Sequence, residues 1–320
     1  MHDYSLIYTV FGMVAIASLL LDFFVLNKKN KIISTRNAMF QTIFWTCISM
    51  GFFVFLLSQK NISSNTALAY LSGYLMEWSL SVDNIFVFIL IFASFKVKDE
   101  YCGRVLLAGV LMAILFRVIF ITVGVALVDK FHWILYIFGL FLLYTGYKMF
   151  VATEHEEFDP NDSPVYKFLK KILPLTTEDG KGKYIITNNG RPEYTSLFVV
   201  VVLLAAIDLV FALDSIPAVM GISQDKMVIY TSNIFAILGL RSLFFLLRGA
   251  VSKFDYLQQG IAIVLVFIGI KMLAEKWINQ LISEGMQVFL SLLIIILCIT
   301  GSILYSIYHN KKGVPKEHLS

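Results

Sequence analysis

Long stretches of the chain are apolar without interruption rather than in alternation. A helix needs roughly 18 to 20 such residues to cross a bilayer core. Nine runs are read as spans: Ser5–Leu26, Met39–Ser58, Leu68–Phe95, Val105–Val128, Trp133–Val151, Ser196–Gly221, Met227–Leu247, Leu257–Ala274 and Met286–Tyr308. The expected fold class is all-α, a polytopic membrane helix bundle of about nine transmembrane helices. A transmembrane β-barrel would instead show ten-residue alternating segments.

Charge then orients the bundle. Of the 26 Lys and Arg, eighteen fall in the loops and tail placed inside when the N-terminus is outside, and four fall in the outside loops. Arg117, Lys148, Arg241 and Lys271 lie within spans. Lys148 and Lys271 sit near span ends, where a long side chain can snorkel to water. The bias follows the positive-inside rule, with the C-terminus cytoplasmic and the protein in the cell (inner) membrane. The start, "MHDYS", lacks the basic n-region of a signal peptide, so the first span reads as an uncleaved helix.

Composition narrows the chemistry. The chain is 58% hydrophobic and 15% charged, where a soluble domain carries about a quarter charged residues. Cys47 and Cys298 lie in spans, Cys102 lies beside a charged loop, and no CxxC spacing joins them, so a thiolate metal site or disulfide framework is not indicated. All five histidines lie at span ends, in loops or in tails. No nucleotide-binding motif and no GxGD protease pattern is present. The expectation is a protein that is not an enzyme, has no resident cofactor and does not bind nucleic acid.

The loop 152–195 opens on an acidic run, "EHEEFDPND", without the ligand spacing of an EF-hand, and reads as a solvated linker. Asn189-Gly190 between β-prone flanks predicts a small hairpin.

Two spans carry related acidic stretches. "EWSLSVDN" at Glu77 aligns with "DLVFALDS" at Asp208; "MAILFRVIF" resembles "FAILGLRSLF", setting Arg117 against Arg241; "YTGYKMF" resembles "FIGIKML", setting Gly146 against Gly269. Spans three to five thus repeat as spans six to eight. With three helices per unit, the second copy enters the membrane from the opposite side, an inverted repeat. The chain divides into 1–66 (two N-terminal spans), 67–151 (first repeat), 152–195 (cytoplasmic loop with hairpin), 196–276 (inverted second repeat) and 277–320 (last span and basic tail).

Charges in mid-membrane cost about 2.5–3.5 kcal/mol each even on the lenient insertion scale, so Glu77, Asp83, Asp208 and Asp214 must face protein or water. Glu77 and Asn84 are seven apart and share a helix face, as do Asp208 and Ser215. Asp83 and Asp214 follow the first acid by six residues, about 120° around an unbroken helix. Either the helix opens between the two acids, as Pro217 would permit in the second copy, or the acids have different tasks. Four carboxylates against Arg117 and Arg241 leave a negative field, which favours a cation, and oxygen ligands suit Mn²⁺, Mg²⁺ or Ca²⁺. The candidate ligands are Glu77, Asp83, Asn84, Asp208, Asp214 and Ser215, with Arg117 and Arg241 balancing charge. Asp22, near the inner end of span one, is interfacial or lines a vestibule. The alternative is that Asp83 with Arg117, and Asp214 with Arg241, are ion pairs that only fix packing.

The stretches "EWSLSVDNIFVF", "FDPNDSPVYKFLKKILPLT" and "DLVFALDSIPAVMGIS" resemble those of the TerC family of integral membrane proteins, in particular its Alx-like branch, over roughly Asp22 to Lys276. The resemblance implies manganese homeostasis, chiefly Mn²⁺ export, a historical link to tellurium resistance, and kinship with LysE-type transporters built on inverted three-helix repeats. It carries the family's acidic motif onto Glu77, Asp83, Asn84, Asp208, Asp214 and Ser215. The partners expected are a divalent cation, membrane lipid and other stress-response or secretion-linked membrane proteins. A non-transporting scaffold in a stress-resistance complex is the rival reading.

Overall fold

A computed structural model of the chain describes residues 4–22, 33–151, 164–176, 182–188, 191–248 and 256–312. Almost all of them are helical. The order is α1 (Ser5–Leu21), α2 (Thr35–Ser58), α3 (Ser64–Ser94), α4 (Asp99–Lys130), α5 (Ile134–Val151), α6 (Pro164–Ile172), β1 (Ile185–Asn188), β2 (Arg191–Tyr194), α7 (Ser196–Ile222), α8 (Lys226–Leu238), α9 (Leu240–Arg248), α10 (Leu257–Leu273), α11 (Glu275–Leu281) and α12 (Glu284–Lys312).

Helices α2, α3, α4, α5, α7 and α12 contain stretches long and apolar enough to cross a membrane, and α8 with α9 make a seventh if the pair is one bent span. The nine runs of the sequence thus become six or seven helices of sufficient length. Helices α1 and α10 stand where two more spans were expected, each with 17 residues among those described.

Two local features depart from the sequence reading. Pro217 lies inside α7, yet α7 runs unbroken from Ser196 to Ile222. The bend lies elsewhere, at Gly239, where α8 and α9 meet at 43°. Gly and Ser residues are common at such kinks, and here the Ser242 hydroxyl donates to the Gly239 carbonyl at 2.8 Å. The second departure is α6, a nine-residue helix within what was read as linker. Proline at its first position is preset for a helix start. β1 and β2 pair antiparallel on either side of Asn189-Gly190, and those two residues, like the acidic run of 152–163, lie outside the described residues.

Of the six helices long enough to span alone, the two with acidic stretches are the most enclosed. Of their most apolar stretches, 69% is buried for α3 and 56% for α7, against 22–33% for α2, α4, α5 and α12. Around them, α3 packs on α8, α4 on α7, and α5 on α10. The α5–α10 crossing is close because it is built on glycine. A Cβ on Gly146 would stand 2.9 Å from the Ala262 carbonyl oxygen and 2.8 Å from Val266. One on Gly269 would stand 2.8 Å from the Gly139 carbonyl oxygen and 3.0 Å from Leu143. Small residues that let backbones approach are the main device of helix association in lipid, where hydrophobic burial drives little.

Gly146→Leu should therefore separate α5 from α10 and lower stability by about 1–3 kcal/mol, read as a lower thermal unfolding midpoint in detergent. Gly51→Leu, with open space around its would-be Cβ, should leave the midpoint nearly unchanged.

Candidate functional site

Near the middle of α3 and of α7, four helices bring polar side chains to one place. Glu77 comes from α3, Arg117 from α4, Asp208 and Ser215 from α7, and Asn233 from α8. All five are buried, with Glu77 at 0%, and Arg117 and Asp208 at 1% exposure. The Arg117 guanidinium is the hub. Its Nη2 donates to both oxygens of Asp208, at 3.0 Å each. Its Nη1 forms an ion pair with Glu77 Oε1 and donates to Asn233 Oδ1 at 3.2 Å and Ser215 Oγ at 3.5 Å. Asn233 is itself fixed by donating its amide to the Ile229 carbonyl at 2.9 Å.

The seven-residue stripes explain the convergence. Asp208 and Ser215 lie two turns apart on one face of α7, and both reach Arg117. Glu77 and Asn84 share the matching face of α3, where Asn84 is also buried. Two carboxylates meet one guanidinium in the cluster. The cluster is incompletely bonded, because neither oxygen of Glu77 has a hydrogen-bond partner among the described residues, the contact to Arg117 being an ion pair only. Buried polar atoms normally find partners, so such an atom calls for an explanation such as an ion, a water or a proton.

The second acid of the α7 stretch goes elsewhere. With α7 unbroken, Asp214 points toward α5, where the Thr145 hydroxyl donates to its Oδ1 at 3.1 Å. The pairing of Asp214 with Arg241 weighed from the sequence is therefore not formed. Arg241, just past the Gly239 bend, pairs instead with Asp22 at 2.8 Å. Asp22 is 7% exposed, a buried counter-ion at the C-terminal end of α1. No hydrogen bond satisfies Arg241 among the described residues, and its Nη2 meets Asp22 only as an ion pair. Asp83 lies in α3, but its side chain lies outside the described residues, so its pairing with Arg117 stays an open alternative. Among the described residues, no three of His, Cys, Asp and Glu come together in a way that could hold a metal.

Sequence reasoning missed Asn233 and Thr145. The signal for Asn233 was present: Thr231, Ser232 and Asn233 are three consecutive polar residues inside an apolar span, and all three are fully buried. Thr145 gave less, since a single Thr in a span can satisfy itself on its own helix.

At one end of α3 and α7, a cavity of about 510 Å³ opens, lined in part by Asn65, His132, Asp225, Lys271 and Glu275. Of these, Asp225 accepts a hydrogen bond from the Tyr4 hydroxyl at 2.8 Å. Burial, then the Asp225 carboxylate, push the Tyr4 phenol up to about 12, so it remains a donor throughout the physiological range. Lys271 is held by a hydrogen bond to Ser291 at 3.2 Å.

Comparison with known proteins bears out the resemblance to the TerC family. The family model described as "Integral membrane protein TerC family" matches residues 62–313. An "Uncharacterized membrane protein" of Rickettsia bellii is 39% identical over 286 residues, covering 89% of this chain and 94% of that protein. A protein of Myxococcus xanthus, also named as an uncharacterized membrane protein, is 38% identical over 278 residues, 87% of this chain and 86% of its own. A protein of Escherichia coli O6:H1 named "Putative membrane-bound redox modulator Alx" is 39% identical over 280 residues, 88% of this chain and 84% of its own. No solved structure matches.

Arg117→Met should cost about 3–5 kcal/mol, because it strands two buried carboxylates. Adding Glu77→Gln and Asp208→Asn to it should restore most of the loss, since apolar or neutral replacement of a whole buried ion cluster is often tolerated. Thermal unfolding of the single and triple variants in detergent checks both.

Proposed function

The chain is a multi-pass integral membrane protein of the TerC family, and on that premise we propose that it is a secondary transporter of a divalent cation, Mn²⁺ first among candidates. The observation that carries this reading is the Glu77–Arg117–Asp208 cluster. Two carboxylates from different spans flank a place now filled by a guanidinium, and one of them keeps an unsatisfied buried oxygen. Arg117 serves as a tethered cation that the cargo displaces. Carboxylate, amide and hydroxyl oxygens at this position suit a hard divalent ion better than a soft one. Asp83, Asn84 and Ser215 complete the ligand set as the substrate enters, and Asp214 takes a separate part along the path. The "redox modulator" in one relative's name has no counterpart in this cluster, which contains no thiol.

Two further features support the reading. The first is the inverted repeat. Gly146 approaches Ala262 and Val266, and Gly269 approaches Gly139 and Leu143. Each partner of one glycine is the repeat-equivalent of a partner of the other, as a two-fold axis between antiparallel helices requires. α3 and α7 likewise run in opposite directions: the start of α3 and the end of α7 line the same polar cavity. Counted this way, α1 and α10 are short spans and the bundle has nine, with the N-terminus outside and the C-terminus in the cytoplasm of a cell membrane. The second feature is that cavity, which places the Asp225 and Glu275 carboxylates, with Lys271 and His132, at one end of the two helices that carry the cluster's acids. No nucleotide motif accompanies the site, so movement is downhill or coupled to protons, with a carboxylate as the proton carrier.

The rival reading, a scaffold that moves nothing, also has an observation in its favour. Arg117 satisfies Asp208 bidentately, which is good geometry for a static brace. Proteoliposomes containing an Mn²⁺-quenched dye separate the two. Wild-type protein should speed Mn²⁺ entry, and Glu77→Gln or Asp208→Asn should slow it about ten-fold or more. Asp99→Asn, which removes an exposed pair with Arg248, should leave the rate unchanged. Wild-type vesicles no faster than empty ones would remove the transporter reading. Full flux in folded Glu77→Gln would remove the cluster as its site.

A further inference from the structure

At the opposite end of α3 and α7 from the acidic cavity lies a second cavity, of about 820 Å³. Its polar lining is Lys96, Lys98 and Lys170 with the hydroxyls of Ser94, Thr176 and Ser196, and among the described residues no carboxylate lines it. A cation path would not be lined this way, so the cavity needs a different occupant. Its other wall is apolar, including Phe95, Tyr166 and Val199. The lining is thus divided between a basic, hydroxyl-rich part and a hydrocarbon part.

Two details of the chain indicate that the basic part is built rather than incidental. α3 ends in a motif in which the Val97 amide donates to the Phe92 carbonyl and the Lys96 amide to the Ala93 carbonyl, both at 3.0 Å. The residue between, Lys96, has φ +48°, the left-handed conformation for which glycine is the usual choice at this point. It is the single non-glycine with positive φ among the described residues. A lysine kept at a position that disfavours it suggests a use for the side chain.

The second detail is α6. It buries Leu169 toward the bundle, and Tyr166 meets Phe95 edge-on at 5.6 Å, fixing α6 beside the cavity. Its outer side exposes Phe168 at 61% and Ile172 at 54%, next to Lys167, Lys170 and Lys171. A short helix with bare apolar residues beside lysines is suited to the plane where hydrocarbon meets head groups. That is also the level at which α3 ends and α7 begins.

We propose that this cavity seats an anionic phospholipid, with the phosphate among Lys96, Lys98 and Lys170 and the first acyl carbons along the Phe95–Tyr166 wall. Basic pockets between spans at a membrane face recognise such head groups. The apolar wall, continuous with the bare face of α6, selects a lipid over free phosphate. The inference is independent of what the acidic cluster carries.

The test uses the full-length protein in phosphatidylcholine nanodiscs, with its thermal midpoint read as phosphatidylglycerol replaces part of the phosphatidylcholine. The wild type should gain about 3 °C or more, and added inorganic phosphate should give no gain. Lys96→Gly with Lys170→Gln should lose most of the phosphatidylglycerol gain. Because Lys96→Gly relieves the left-handed backbone, that variant in pure phosphatidylcholine should melt no lower than Lys170→Gln alone, which separates loss of binding from loss of fold. An equal gain from inorganic phosphate, a full gain in the double variant, or no gain in the wild type would each overturn the proposal.

Discussion

The interior of this bundle depends on one buried guanidinium. In a hydrocarbon layer an unpaired charge is expensive whichever scale is used, so Arg117 can stand in α4 only because Asp208 and Glu77 meet it from α7 and α3. That demand fixes which faces of three long helices turn inward. It also recruits Ser215 and Asn233, which accept the remaining Nη1 protons. Apolar packing alone would not specify such an arrangement in lipid, because one leucine face against another is worth little more than leucine against an acyl chain. Glycine-based closeness between α5 and α10 then holds the outer pair.

The second arginine meets the same demand in a less complete way. Arg241 follows the bend at Gly239 and finds its counter-ion on α1, outside the repeated unit. In the sequence alignment Arg117 and Arg241 are equivalents, yet Arg117 has one hydrogen-bonded carboxylate and a second in an ion pair, whereas Arg241 has a single ion pair. The two halves therefore hold the same kind of charge in different states of satisfaction.

Much of this was legible in the sequence because mid-span carboxylates stand out against apolar neighbours. The stripe Asp208–Ser215 was readable from helical geometry, and the structure brings both residues to Arg117. The six-residue spacing posed a choice between an opened helix and divided tasks, and α7 answers it: Pro217 is accommodated and Asp214 turns to Thr145. What could not be read was partnership. Asp214 and Arg241 are close in pattern, but which acid reaches which arginine depends on how helices cross, and that depends on glycine contacts and on the bend at Gly239. Asn233 was hidden because a buried Asn can be satisfied on its own helix, and a single sequence does not show which way its amide points. Helix α6 was hidden for a different reason: nine residues are too few for periodicity to separate a helix from a linker.

If the proposed cation transport holds, the arrangement has a consequence for how an ion is admitted. A divalent ion entering between Glu77 and Asp208 would place two positive charges beside a guanidinium, so Arg117 has to leave as the ion arrives. Its side chain cannot do so alone, because Asp208 holds it through two hydrogen bonds and the surrounding residues are fully packed. Interiors at this density move as rigid pieces rather than by local yielding. α4 would thus shift as a body against α3 and α7, with the guanidinium carried away from the carboxylates it now bridges. The close glycine crossing of α5 and α10 suits a fixed axis for that movement, since backbones in direct contact leave little room for independent tilting. On this account the ion pair that organises the resting fold and the step that admits the ion are the same contact, made and broken.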